Sequence, residues 1–596
     1  MKRKIMSILL ISLTLLVLIA IPVQAAAVGR TFTLDADFDE GVLINVNHDA
    51  PNNDQLQLND QVEALPFIAI ACSGRGTIVR VNTETGEILG EYWSAPNGRG
   101  RNPSRTTVDL YGNVWAGNRG EANGGQGSVV KIGLVVGGTR CNADGTPNPV
   151  GDYVAPPYAY NTCVDRDGDG LIKTSSGLGD IRPWDNAGGA DNAGGVSTAD
   201  DEAILIYQRV NGDNIRHVSV DADNNVWVGG HFGSDHAFDL LNGNTGTILA
   251  SFDVGYGGYG GLVDGNGVIW SADRSPAPME LLRYDTKGTI STADDTWSSV
   301  TSPNAYGLGI DTFGNIWHAQ YSSNNIYKYD PSGNIFPGFP KTTGGSSDDR
   351  GVAVTPLDNH VWVANSAGNN VSRLANDGTF LKLISVGFQP TGVAVDANGK
   401  VWVTNLGSDN AMRIDPNAGA DNLGAVDLTV DLGGGSSPYN YSDMTGVVAI
   451  QAAGIGTWTV VHDSTEAGVE WGTVSWTSEE PAGTAVSVEI RIADAIAGLP
   501  AATWIPVSNG VGFSGMCGRY VEIRTTLARD PGVVDTPVLY DLTIIPLNGG
   551  GGQGEIEVGG TIQPYNKLAL LVPWIALGML LVTCGTIIIR RHRTQC

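Results

Sequence analysis

Residues 310–317 read Ile-Asp-Thr-Phe-Gly-Asn-Ile-Trp, and the same phrase returns along the chain. It is Val-Asp-Leu-Tyr-Gly-Asn-Val-Trp at 108–115, Val-Asp-Ala-Asp-Asn-Asn-Val-Trp at 220–227 and Val-Asp-Gly-Asn-Gly-Val-Ile-Trp at 263–270. It comes again as Val-Thr-Pro-Leu-Asp-Asn-His-Val-Trp at 354–362 and Val-Asp-Ala-Asn-Gly-Lys-Val-Trp at 395–402. Apolar residues alternate on both sides of a Gly/Asn turn, so each phrase is strand, tight turn, strand. From Trp227 the tryptophans recur every 40 to 47 residues, at 270, 317, 362 and 402. Two more strand-like stretches follow each Trp, as at 325–330 and 371–374. Four short strands per repeat make a propeller blade. A weaker unit at 66–92 has Ala69 in the Trp position. With it, seven blades would close a ring that leaves no long edge open. The tryptophans are then packing residues.

These Asp-x-x-Gly-Asn-Val-Trp units resemble those of the NHL-type and streptogramin-lyase-like seven-bladed β-propellers, over about residues 60 to 440. The resemblance implies the fold. It also implies a lyase alternative, because streptogramin-lyase-like enzymes use His and Glu at the propeller mouth with a divalent metal. His217, His231 and His318 are the weak catalytic candidates on that reading. The expected Glu is replaced by Asn118, Gly230, Gln320, Asn365 and Asn405, which removes the hard oxygen ligands that Mg²⁺ needs.

Beyond about residue 445 the pattern changes to longer alternating runs at 457–463, 469–477, 485–494, 519–527 and 538–546, which predict a β-sandwich over 446–547. The expected class is therefore all-β: a seven-bladed β-propeller at 61–445, a C-terminal β-sandwich and a single C-terminal transmembrane helix. The N-terminal strand segment, 26–60, could join either domain.

The ends carry addresses. Lys2, Arg3 and Lys4 precede an apolar run that closes on Val23-Gln24-Ala25, the pattern of a signal peptide at 1–25. Residues 568–589 are long and apolar enough to cross about 30 Å of hydrocarbon. The basic tail 590–596 would stay in the cytoplasm, and the glycine-rich stretch 548–567 reads as a linker. The expected location is the cell surface, with the bulk of the chain outside.

Glycine supplies 81 of 596 residues and charged residues only 16%, against about 25% in an average domain. That suits many short strands and turns. A net charge of −27 repels a phosphate backbone, so nucleic acid is excluded as a partner. No Gly-x-Ser-x-Gly, His-Glu-x-x-His or P-loop occurs.

The long interval from Trp115 to Trp227 holds an insertion at about 133–213. Within it, Asp165, Asp167 and Asp169 stand at positions 1, 3 and 5 of a loop, with Gly170 at 6 and the Leu171 carbonyl at 7, a spacing that wraps Ca²⁺. Position 12 is Ser176, so a carboxylate must come from elsewhere. Asp201 or Glu202 is expected to supply it, from a short helix running to Arg209 behind a capping box of Ser197 and Asp200. Calcium would clip the insertion, and a Cys141–Cys163 disulfide would staple it.

Aligning the units by Trp selects the residues at one mouth of the disc. Before each inner strand lie Arg105, Arg216, His217, Tyr259, Tyr306 and Arg350. After each Trp strand lie Arg119, His231, Asp273, Arg274, Gln320 and Tyr321. Five arginines gathered in an acidic protein point to a polar or anionic ligand, with guanidinium forks for carboxylate or sulfate and tyrosines to stack on sugar rings. The expected task is recognition of an extracellular glycan, peptide or envelope component. A purely structural envelope role is the other rival, in which the arginines would pair with nearby Asp. Asn370 and Asn440 head possible glycosylation sequons, and His236 and His360 read as surface-turn residues.

Overall fold

The computed structural model describes residues 29–547 except 45, 50, 59–64, 121–125, 135, 143, 147, 149–151, 160–162, 187–194, 232–234, 275–279, 449–453, 530–532 and 534. The expected signal peptide, linker, transmembrane helix and tail lie outside the described residues. Among the described residues no helix is long and apolar enough to cross a membrane.

Each Trp phrase forms the two inner strands of a four-stranded antiparallel sheet. In one such sheet, Ala305–Ile310 pairs with Ile316–Gln320, followed by Asn325–Tyr329 and Lys341–Thr342. The repeat's Asp explains why the phrase is kept. Asp311 accepts the backbone N–H of Phe313 and Asn315 and the indole N–H of Trp317 at 3.1 Å. Asp109, Asp264 and Asp396 do the same for Trp115, Trp270 and Trp402. Thr355 takes the role for Trp362 at 3.2 Å. One carboxylate thus closes the turn and satisfies the buried indole, which otherwise would carry an unmet donor. Lys131, Arg283, Lys328 and Arg373 lay their cations over the outer faces of four of these rings, a further attraction.

The inner strands Pro103–Val108, Ile215–Val220, Gly260–Val263, Ala305–Ile310, Asp349–Val354 and Pro390–Val395 neighbour one another in that order. The weaker unit forms a three-stranded sheet, Phe67–Cys72, Thr77–Asn82 and Ile88–Trp93. It shares one apolar cluster with Ala394, Trp402 and Val430 of the last Trp sheet. Residues 438–445 run along its edge, with Tyr439 N–H donating to Ala71 O at 3.1 Å and Ala69 N–H to Met444 O at 2.9 Å. Chain from beyond the last repeat therefore completes the first sheet. The result is a propeller-like, all-β fold.

The insertion is shorter than expected, and its helix is a strand. Ile204–Asp213 pairs with Gln126–Ile132 as the outer strand of the first Trp sheet, so the inserted chain is 133–203. Strand wins because 204–210 is rich in β-branched and aromatic residues, Ile204, Ile206, Tyr207 and Val210, that a ready sheet edge can take up. Cys141 and Cys163 are thiols, not a disulfide. Cys163 packs against the apolar cluster around Trp184 and Tyr207, whereas Cys141 ends a strand near Asp144, Asp152 and Asp169.

The N-terminal segment joins the C-terminal strands. Arg30–Phe32 and Leu56–Leu58 pair with Val538–Pro546, and Val42–Ile44 pairs with Ile455–Asp463. These belong to two sheets that share a core of Phe32, Phe38, Trp458, Trp471, Ile523 and Leu542.

Candidate functional site

The mouth is built by two repeated backbone devices. Immediately before four inner strands stands a residue with left-handed φ: Asn214 (55°), Asn304 (54°), Asp348 (66°) and Gln389 (54°). Short polar side chains tolerate that region best. Its carbonyl, or that of its equivalent Asn102, accepts the N–H of the residue just past the Trp strand: Arg119, Tyr321 and Leu406 at 2.9 Å, Ser366 at 3.2 Å. The second device is a β-bulge at the mouth end of the inner strand, which skips Arg216, Tyr306 and Arg350 out of register. A bulge re-aims the side chain it frees, and here Tyr306 and Arg350 reach the mouth cavity while Arg216 covers the Tyr259 ring.

A cavity of about 690 Å³ opens there, lined among others by Arg119, Arg274, Arg350, Tyr259, Tyr306 and Tyr439. His231, Tyr321, Leu406, Ser73, Gly74 and Ser437 complete the wall. Guanidiniums and phenols alternate. Arg274 lies 5.0, 4.9 and 4.3 Å from the rings of Tyr259, Tyr306 and Tyr321. Arg350 sits 5.6 Å from Tyr439 and 5.7 Å from Tyr306, and Arg119 4.9 Å from Tyr439. Arg216 covers Tyr259 at 4.8 Å, and buried Arg105 is stacked on Tyr441.

Among the described residues, none of these five arginines has a carboxylate within 4.0 Å. Pairing with nearby Asp is thereby set aside for them. The Nε atoms of Arg105, Arg119, Arg216 and Arg350 are buried without a hydrogen-bond partner among the described residues. Burial pushes the Arg105 guanidinium well below its ordinary value, and burial with the neighbouring Arg216 lowers Arg119. Tyr259, Tyr306 and Tyr439 form a chain of hydroxyls. Burial raises the Tyr439 phenol, but Arg105, Arg216, the Tyr306 hydrogen bond and Arg350 outweigh it and draw it below the usual tyrosine range. The site is a cationic cage.

Other expected residues lie elsewhere. His217 is buried, held by Ser219 at 2.7 Å and Ser271 at 3.1 Å, and burial beside Arg105 lowers it to about 3. His318 is buried against Tyr327, bonded to Ser302 at 2.6 Å, and lowered by burial to about 4. Neither lines the cavity. Gln320 accepts from Asn325 and Tyr327 within its own sheet. Asn118, Asn365 and Asn405, where the resemblance expects Glu, are buried amides bonded inside their sheets. Buried Asn440 cannot accept a glycan in the folded chain. His236, read as a surface residue, is buried beside His231. Tyr439 and Tyr441 were not anticipated; the aromatic pair two apart in 438–442 was their one signal.

In the insertion, carboxylate oxygens of Asp165, Asp167 and Glu202 lie within 4.8 Å of one another. Glu202 also accepts the N–H groups of Arg166 and Lys173, both at 2.8 Å. Asp201 turns away into the core to hold Ser175. Asp169 accepts the Leu171 N–H. The loop has a basic neighbour, since Lys173 contacts Asp167 and lies 3.4 Å from Asp169.

No protein-family model and no curated protein matches the chain. Among solved structures it is similar to a Lactobacillus plantarum protein at 12% identity over 61% of this chain and 93% of that one, TM-score 0.41. Virginiamycin B lyase from Staphylococcus aureus is similar at 15% identity over 57% of this chain and 87% of that one, TM-score 0.37. The periplasmic gluconolactonase of Pseudomonas aeruginosa is similar at 14% identity over 63% and 97%, TM-score 0.38. These likenesses are too remote to bear on activity.

Proposed function

We propose that the chain is a membrane-anchored surface protein whose propeller mouth binds an anionic ligand carried by a glycan, a peptide or an envelope component. The observation behind this reading is the cage of Arg105, Arg119, Arg216, Arg274 and Arg350, unpaired with carboxylates among the described residues and interleaved with tyrosines, in a protein of net charge −27. Holding five guanidiniums together has a cost that an incoming carboxylate or sulfate would relieve. We take the propeller as seven-bladed and of the NHL or streptogramin-lyase kind, with a β-sandwich beside it. On this reading residues 568–589 anchor the chain, with the tail 590–596 inside.

The test is binding of the full-length protein to an array of sulfated, uronic-acid and neutral glycans and acidic peptides. Binding should favour acidic members and weaken steeply with salt. Equal binding to neutral members would overturn the reading. A lyase has less support, because of its three histidine candidates His231 lines the cavity but His217 and His318 are buried away from it.

Calcium in the insertion is part of the same proposal, with Asp165, Asp167 and Glu202 as carboxylate ligands. The ion must displace the Lys173 ammonium. Millimolar Ca²⁺ should therefore raise the melting temperature, more so in Lys173→Ala and not at all in Glu202→Gln. A melting temperature that neither Ca²⁺ nor chelator moves would remove calcium.

A further inference from the structure

We infer that the arginine cage carries its own anion, the Tyr439 phenolate, which an incoming acidic ligand replaces as that oxygen takes up one proton from solvent. The exchange rests on the mouth being an anion site; the phenolate does not. Arg105, Arg119, Arg216, Arg274 and Arg350 gather five positive charges with no carboxylate within 4.0 Å among the described residues. A guanidinium does not give up its proton in proteins. His231, which also lines the cavity, is neutral or positive. A phenol is therefore the side chain of the cage that can turn negative.

The contacts select Tyr439 among the phenols. Arg216 donates to the Tyr259 hydroxyl at 3.4 Å and Tyr259 donates to Tyr306 at 3.2 Å, so Tyr306 is left to point its own proton at Tyr439. A run of donors that starts on a cation ends on the oxygen that gains most from being negative. Guanidiniums sit against that last ring, Arg119 at 4.9 Å, Arg350 at 5.6 Å and Arg105 at 5.9 Å, with Tyr441 edge-on at 5.5 Å. Burial raises the Tyr439 phenol, but Arg105, Arg216, the Tyr306 hydrogen bond and Arg350 more than reverse that. Burial, with Tyr259 and Tyr439, lifts Tyr306 well above the tyrosine range, so the pair keeps one proton between them. The backbone holds Tyr439 in place, since its N–H donates to Ala71 O and Thr391 Oγ1 donates to Pro438 O, both at 3.1 Å.

Binding at the mouth is then linked to a proton. A phenolate gives Arg105, Arg119 and Arg350 a partner, and a carboxylate or sulfate has to displace it. A protonated Tyr439 leaves those three charges open. Raising the pH favours the phenolate, so affinity for an external anion falls by about tenfold per pH unit above the phenol's midpoint. The mouth takes its ligand when Tyr439 is protonated and releases it as pH rises. Because Tyr439 lies outside every repeat, this control is set by the chain that completes the first sheet.

The experiment uses full-length protein and inorganic sulfate, whose charge does not change over the range. By about pH 8, where an ordinary phenol titrating near 10 is still protonated, the ultraviolet difference spectrum should show one equivalent of tyrosinate. That band should vanish in Tyr439→Phe and move to higher pH in Tyr306→Phe, which lacks the last donor. Sulfate should abolish it. Sulfate affinity should fall at least tenfold from about pH 6 to about pH 8.5 in the unaltered protein, and less than about twofold in Tyr439→Phe. No band by about pH 8, or the same band in Tyr439→Phe, would overturn the phenolate. A band that sulfate leaves in place, or an affinity flat with pH, would overturn the exchange. The anion-binding reading fails separately, on glycan and peptide arrays at about pH 6 that show no preference for acidic members while the band persists at about pH 8.

Discussion

Arg274 touches three tyrosine rings and no carboxylate among the described residues. On the proposed reading its charge is held for an acidic ligand. A charge-assisted hydrogen bond is worth about 1.5–3 kcal/mol, so Arg274→Met should weaken binding of an acidic ligand by about 10- to 150-fold, measured calorimetrically. Its melting temperature should hold or rise, since one of five like charges is gone. Asp396 is the opposite case. It satisfies Trp402 Nε1 at 2.8 Å and closes its own turn through the N–H groups of Asn398 and Lys400. Asp396→Ala should cost about 1–3 kcal/mol for the orphaned indole donor alone, read as a lower denaturation midpoint with the cavity unaltered.

At the scale of elements, the bulged inner strand has a consequence for pH. Asp349 opens one such strand, fully buried, and burial, with Asp348 beside it, raises its carboxyl to about 8 against the Thr343 hydrogen bond. Asp221, whose sheet lacks the indole bond seen at Asp109, Asp264, Asp311 and Asp396, is raised by burial to about 7. An unfolded aspartate titrates near 3.9. A group whose folded value is raised gives stability that is complete below the unfolded value and lost as pH climbs through the folded one. Up to about pH 6.5 this loss is offset by buried His217 and His318, whose lowered folded values give stability that grows as pH rises toward the unfolded histidine value. Thermal stability, read in Tyr439→Phe so that the lowered phenol does not oppose the trend, should therefore fall only from about pH 6.5 to pH 8. Asp349→Asn should flatten that slope, and a melting temperature that rises over the window would contradict the assignment. The outer strands were the least legible elements. Ile204–Asp213 resembled a capped helix until Gln126–Ile132 offered it an edge, because a short apolar run takes whichever partner the tertiary structure presents.

At the scale of the molecule, the ring depends on a few residues far from any repeat. Buried Asn440 donates to Thr106 Oγ1 at 2.7 Å and to Ala69 O at 3.3 Å, so it ties the last segment to the first two sheets. Asn440→Ala should lower stability by about 1–3 kcal/mol and broaden unfolding, as the first sheet frays ahead of the rest. An unchanged, equally sharp transition would show that closure does not pass through this residue.

By itself the sequence determined the repeat: period-two alternation, Gly/Asn turns and a Trp six residues after an Asp can be satisfied only by short antiparallel strands, whatever surrounds them. It also assigned Arg119, Arg274, Arg350, Tyr259, Tyr306 and Tyr321 to one mouth, because equal repeats put equal positions at equal places. Only the tertiary structure decided what depends on neighbours remote in order. It put Tyr439 and Tyr441 into the cage, His217 and His318 beneath it, His236 beside His231, and residues 30–58 with the C-terminal sheets. Local patterns fix local pairing; burial, bulges and the partner across a ring are set by chain hundreds of residues away.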